Sequence, residues 1–106
     1  MKTLFAAVLL AVVVVLVPAA SARPVCGYLR GDEGERYRIA VEKGTSSCRT
    51  ARRVFVDLFA GRGTPHPGPK PSQSYTQVGA WRCFFGMGVW ECSRSRGRQD
   101  VVASPG

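Results

Sequence analysis

Fourteen apolar residues run without a break from Leu4 to Val17, and after them the pattern changes character: apolar positions either alternate with polar ones or recur at helical spacing. Val25 to Lys43 alternates, with a break at Gly31-Asp-Glu-Gly-Glu35, and predicts a β-hairpin whose turn centres on Glu33-Gly34. That register sets Cys26 opposite Val41, Tyr28 opposite Ile39 and Arg30 opposite Tyr37. One face then carries Cys26, Tyr28, Tyr37, Ile39 and Val41, and the other Arg38, Ala40 and Glu42, with Leu29 as the exception. Downstream, Cys48, Ala51, Phe55, Leu58 and Phe59 form one stripe of a 3.6-residue period, widened by Val54 and Val56. Ser46 or Ser47 can cap this helix, and Gly61 and Gly63 end it.

The segment Thr64–Ser74 carries four prolines in eleven residues and predicts a loop running over the surface. Tyr75–Arg82 and Val89–Arg94 read as two strands joined around Met87-Gly88, which sets Phe85 opposite Trp90 and Cys83 opposite Cys92, on the face shared with Trp81. Ser93 to Arg98 is a basic turn opening a basic tail, 93–106, in which Asp100–Ala103 adds a short edge strand. The expected fold is α+β: a small antiparallel sheet of two hairpins packed on one helix.

The apolar run explains the N-terminus. Met1-Lys2, the run itself and the Ala20-Ser21-Ala22 site make a secretory signal peptide over 1–22, with the working chain starting at Arg23. Fourteen residues fall short of the about 18–20 that span a bilayer, and Pro24-Val25 before Cys26 do not make a lipid-attachment site. The product is therefore expected to be secreted and extracellular, a single small domain over 23–106, monomeric and without a transmembrane segment.

Without the leader, 84 residues remain, with 14 Arg and Lys against 7 Asp and Glu. Such a chain buries only about 60–65% of its unfolded surface and needs staples. Cys26, Cys48, Cys83 and Cys92 supply them, because no Cys-x2–4-Cys spacing suggests zinc and the compartment is oxidising. Of the three possible connectivities, the hairpin registers favour Cys26–Cys48 and Cys83–Cys92; a link from Cys48 to the second hairpin remains open, and loop entropy favours it modestly.

Thr45-Ser-Ser-Cys48 with Ala51-Arg-Arg-Val54, then Trp81-Arg-Cys83 and Cys92-Ser-Arg94, resembles a group of small secreted, disulfide-containing actinobacterial proteins. The likeness covers nearly the whole mature chain. It implies an N-terminal cysteine strand, a helix and a cysteine hairpin in this order, and no activity. The arginine-rich, lysine-poor composition fits the GC-rich genomes of such organisms.

Candidate chemistry narrows what the domain can do. His66 stands alone between two prolines, no Gly-x-Ser-x-Gly turn occurs, and Asp32, Glu33 and Glu35 cluster at a hairpin tip, so neither a triad nor a carboxylate pair across a cleft is in view. Nothing calls for a cofactor or a metal, and no nucleic-acid recognition motif appears. Arg49, Arg52 and Arg53 on the helix and Arg94, Arg96 and Arg98 near the C-terminus are the candidates for an anionic partner. Trp81, Phe85 and Trp90 read as core, while Phe84, Met87 and Val89 form a small apolar patch that the proline-rich loop can cover. The expected function is a secreted, non-catalytic module binding an anionic envelope component or a protein. A membrane-acting antimicrobial or toxin-like factor is the alternative, with a small enzyme or enzyme inhibitor third.

Overall fold

The computed structural model describes residues 24–106, together with Ala11; the rest of the leader read at 1–22, and its cleavage site, lie outside the described residues. Seven strands form one antiparallel sheet: β1 (Val25–Arg30), β2 (Arg36–Lys43), β3 (Thr64–His66), β4 (Tyr75–Val78), β5 (Trp81–Gly86), β6 (Val89–Arg94) and β7 (Gln99–Pro105). One helix, α1 (Cys48–Phe59), separates β2 from β3. Across the sheet the order is β1-β2-β7-β6-β5-β4-β3. The α+β expectation holds, but the two hairpins are halves of one sheet. The strand that joins them is β7, which pairs with β2 on one side and β6 on the other. The basic tail read at 93–106 therefore holds an exposed turn followed by an interior strand, not an edge.

The first hairpin differs from its expected register by one residue next to the turn and by two beyond Gly27. Tyr28, Leu29 and Arg30 pair with Arg38, Tyr37 and Arg36, and the register shifts before Val25 pairs with Ala40. Cys26 and Gly27 thus oppose the single residue Ile39, a β-bulge made possible by Gly27 at φ +106°. The extra residue returns Cys26 to the buried face while Leu29 packs on the core and Tyr28 turns outward. The misfit of Leu29 in a strict alternation was the trace of this bulge. Two further boundaries differ. Val78 and Trp81 are paired across a turn containing Gly79, so Tyr75–Arg82 is two strands rather than one. Thr64–His66, at the start of the expected loop, pairs with Tyr75–Gln77 as an edge strand whose Pro65 lacks a backbone donor.

The helix forms as its pattern dictates. The Ser47 hydroxyl accepts from the Thr50 backbone N–H at 3.1 Å, and Ala51, Val54, Phe55 and Leu58 are buried against the sheet. Contacts of α1 reach β1 and β2 at one end of the strand order and β4 near the other. In a flat sheet β1 and β4 would stand about 24 Å apart, against a helix about 10–12 Å across. The sheet therefore curls around α1. Its inner face completes the core with Ile39, Val78, Trp81, Val101, Ala103 and both disulfides. Cys26 bonds Cys48, and Cys83 bonds Cys92, with Cα separations of 5.0 and 4.0 Å. The local connectivity is the one present, and all four cysteines are paired.

Candidate binding site

The six arginines singled out in the sequence do not form one patch. Arg52 is half-buried, and its Nη1 donates to the Cys26 carbonyl oxygen at 3.1 Å. Arg94 lies on the inner face with its guanidinium 4.5 Å from the Trp81 ring centroid, a cation–π contact that braces the side chain. Arg53 is exposed on α1, one helical turn from Arg49. Arg49, Arg96 and Arg98 are exposed at one end of the molecule.

Gln99 joins the turn that carries Arg96 and Arg98 to the segment that leads into α1. Its Oε1 accepts from the Thr45 and Ser46 backbone N–H groups at 3.1 and 3.2 Å and from the Ser46 hydroxyl at 2.8 Å. The first residue of β7 is thereby clamped to the approach to α1, and Arg98 lies beside Gly44 in that approach, with Arg49 following in the first helical turn. That first turn carries no acidic residue. In the Arg94–Gly97 turn, closed by Gly97 N–H donating to Arg94 O at 3.2 Å, Ser95 and Arg96 take φ of 54° and 57°. Left-handed backbone at both central positions ordinarily selects Asn or Gly, so this turn holds its arginine in an unusual but defined place. Among the described residues, none of Arg49, Arg53, Arg96 and Arg98 has an ion pair; Arg62 pairs with Asp57 at 2.7 Å.

The aromatics depart from expectation. Trp81 is buried and Trp90 half-buried, as core residues should be, but Phe85 is 55% exposed. It points to the inner face, as its alternation requires, at a distance along the strand that the helix does not cover. Its ring tilts against Trp90 with centroids 4.9 Å apart. The proline-rich loop overhangs Phe85 rather than Phe84, leaving a groove of about 620 Å³. Phe84 is half-buried on the outer face against Tyr75, 5.7 Å between centroids, and Met87 is fully exposed at the hairpin tip. His66 is also exposed, stacked on Tyr75 at 4.9 Å.

Among the described residues, two ionisable groups are perturbed. Burial raises the Tyr37 phenol, and the charge and hydrogen bond of Glu35 add to the rise. Asp100, on the outer face of β7, is raised from 3.8 to about 7 by burial, by a hydrogen bond with Glu91 and by the charges of Glu91 and Glu42, with Lys43 opposing. Among the described residues, no group of three or more His, Cys, Asp or Glu is placed to hold a metal ion, and no helix is long and apolar enough to cross a membrane.

No known protein family, curated protein or solved structure matches the chain. Sequence reasoning missed Gln99, because a glutamine at a strand start carries no signal of a clamp 53 residues away in the chain. It also missed the groove, whose existence depends on where α1 ends relative to Phe85.

Proposed function

We propose that the chain works outside the cell, as a non-catalytic binding module of the disulfide-containing actinobacterial kind that it resembles. Its partner is an anionic polymer of the cell envelope, contacted through Arg49, Arg96 and Arg98. The observation that carries this reading is that three exposed arginines without carboxylate partners stand on or next to the two segments that the Gln99 clamp joins. Guanidinium groups free of internal partners match phosphate and carboxylate oxygens bidentately, and a net charge of +8 for the full chain attracts such polymers at long range. Two disulfides keep so small a scaffold rigid, so little conformational entropy is lost on contact.

The test is retention on immobilised poly(glycerol phosphate) over a salt gradient. Attraction between exposed charges fades as the Debye length shrinks from about 10 Å at 0.1 M to about 3 Å at 1 M. The R49Q/R96Q/R98Q variant should elute at distinctly lower salt than the parent, and an R53Q control close to it. Equal elution of the triple variant and the parent overturns the assignment.

A second reading, action on membranes, is favoured by one observation: Met87 is fully exposed at a hairpin tip beside the exposed Phe85. It predicts leakage of anionic phospholipid vesicles that Met87→Ser abolishes. Intact vesicles at micromolar protein remove it.

A further inference from the structure

We propose that the groove between the proline-rich loop and the second hairpin is a binding site for an amphipathic organic anion, a carboxylate carrying an acyl chain. This site is separate from the arginine cluster. Trp90, on its wall, and Arg94, which leads into the basic turn, lie on the same face of β6 but about 13 Å apart along it.

The groove is built rather than left over. Its loop side includes Pro65, Pro67, Pro69 and Pro71 beside His66, and its sheet side includes Phe85 and Trp90, with Cys83 behind them. The loop is closed on itself by Ser74. The Gly68 backbone N–H donates to the Ser74 hydroxyl at 3.0 Å, and that hydroxyl donates to the Lys70 carbonyl at 3.3 Å. A single 3-10 turn over Pro71–Gln73 adds the Gln73 N–H to Lys70 O bond at 2.9 Å. At Gly68 a Cβ would stand 2.7 Å from the Gln73 carbonyl oxygen, so the loop closes more tightly there than any other residue permits. Prolines fix φ throughout the wall. The cavity is therefore present before any ligand arrives, as small-molecule sites usually are, and about 620 Å³ lies within their usual range of about 300–1,000 Å³.

The lining chooses the occupant. Phe85 and Trp90 present an aromatic pair to the cavity, and Phe85 stays more than half exposed although a four-proline loop arches above it. The Ser74 hydrogen bonds tie the loop to itself and leave that ring uncovered. An open apolar groove takes an extended apolar chain. Lys70 is the only formally charged side chain in the lining, which contains no carboxylate. A cationic head would meet no counter-charge and a neutral one would leave the ammonium unused. An anionic head is the complement.

Binding of decanoate, decanol and decyltrimethylammonium, followed by tryptophan fluorescence, tests this. Trp90 lines the groove and Trp81 is buried away from it, so a Trp90→Phe variant identifies the reporting ring. Decanoate should give a saturable change that is lost in Trp90→Phe, decanol should bind about tenfold more weakly, and decyltrimethylammonium more weakly still. Lys70→Gln should weaken decanoate several-fold and leave decanol unchanged, whereas Phe85→Ala should weaken both. The R49Q/R96Q/R98Q variant should bind decanoate like the parent, which separates this site from the polymer-binding surface. Should Phe85→Ala lower the melting temperature, the exposed Lys70→Gln variant still decides. No saturable decanoate signal, equal affinity for decanol, or indifference of decanoate to Lys70→Gln overturns the proposal.

Discussion

Arg52 donates from Nη1 to the carbonyl oxygen of Cys26 at 3.1 Å, and so joins α1 to β1 at the β1 bulge. The disulfide from Cys26 to Cys48 makes the same connection covalently, one helical turn earlier. Between them stands Gly27, where an added Cβ would run into the Arg52 guanidinium. Bulge, bridge and hydrogen bond are one joint.

Gly27→Ala should loosen that joint. At φ +106° an L-residue is strained, which costs about 1–3 kcal/mol, and the guanidinium must also swing aside. Urea denaturation of the oxidised protein measures the loss. A change below about 0.5 kcal/mol, the scatter typical of neutral surface substitutions, would show that the bulge is not imposed by this residue.

This joint also shows how far the sequence was legible. Period-2 alternation located β1 and β2, and the single misfit at Leu29 marked the bulge, but alternation alone cannot say which residue absorbs the extra position. The pairing within the second hairpin was legible, Cys83 with Cys92 and Phe85 with Trp90, because a two-residue turn at Met87-Gly88 fixes the register, although the bounds of its first strand were not. The place of β7 was not. Whether a short apolar strand lies at an edge or in the centre depends on non-local pairing with β2 and β6, which no local pattern encodes. Gly79 was a visible turn signal that a continuous polar-apolar alternation concealed. Of the candidate arginines, the sequence gathered six on charge alone, whereas Arg52 and Arg94 are engaged by groups that only the tertiary fold brings near.

The two disulfides should differ in weight. Chain-entropy arguments give about 3.4 kcal/mol for the bridge spanning 22 positions and about 2.6 kcal/mol for the one spanning 9. Replacing Cys26 and Cys48 together by serine should therefore destabilise more than replacing Cys83 and Cys92. Paired thermal melts compare them, and the reverse order would mean that packing of the buried Cys83–Cys92 bridge outweighs loop closure. Peptide mapping without reduction should recover Cys26 with Cys48.

Asp100 makes stability depend on pH. Its folded value of about 7 lies above its ordinary 3.8, so the folded protein holds this proton more tightly than the unfolded chain. The resulting stabilisation is complete below about pH 4 and is lost as pH rises to about 7 and just beyond. Glu91 on β6 and Glu42 on β2 drive the shift along with burial, while Lys43 limits it. Urea midpoints should fall between pH 5 and pH 8. Asp100→Asn should flatten that slope and raise the midpoint at pH 8, since it removes a buried carboxylate whose Oδ1 has no hydrogen-bond partner. A parent midpoint that is flat or rising over this interval would contradict the assignment.

Gln99 offers the sharpest separation of hydrogen bonding from shape. Three donors converge on its Oε1, from Thr45, Ser46 and the Ser46 hydroxyl, so the side chain acts there only as an acceptor. Gln99→Ala removes all three bonds. Water can reach the donors in part, since Thr45 is exposed and Ser46 half-buried, and the expected loss is about 1–2 kcal/mol. Gln99→Glu keeps the acceptor and adds a negative charge at a helix N-terminus that has no acidic residue of its own, close to Arg49, Arg96 and Arg98. That variant should be at least as stable as the parent, with the gain shrinking in high salt. It should also weaken retention on the anionic polymer, because the new carboxylate competes for the same arginines. A less stable Gln99→Glu protein would mean that the amide nitrogen, not the oxygen, is the group the fold requires.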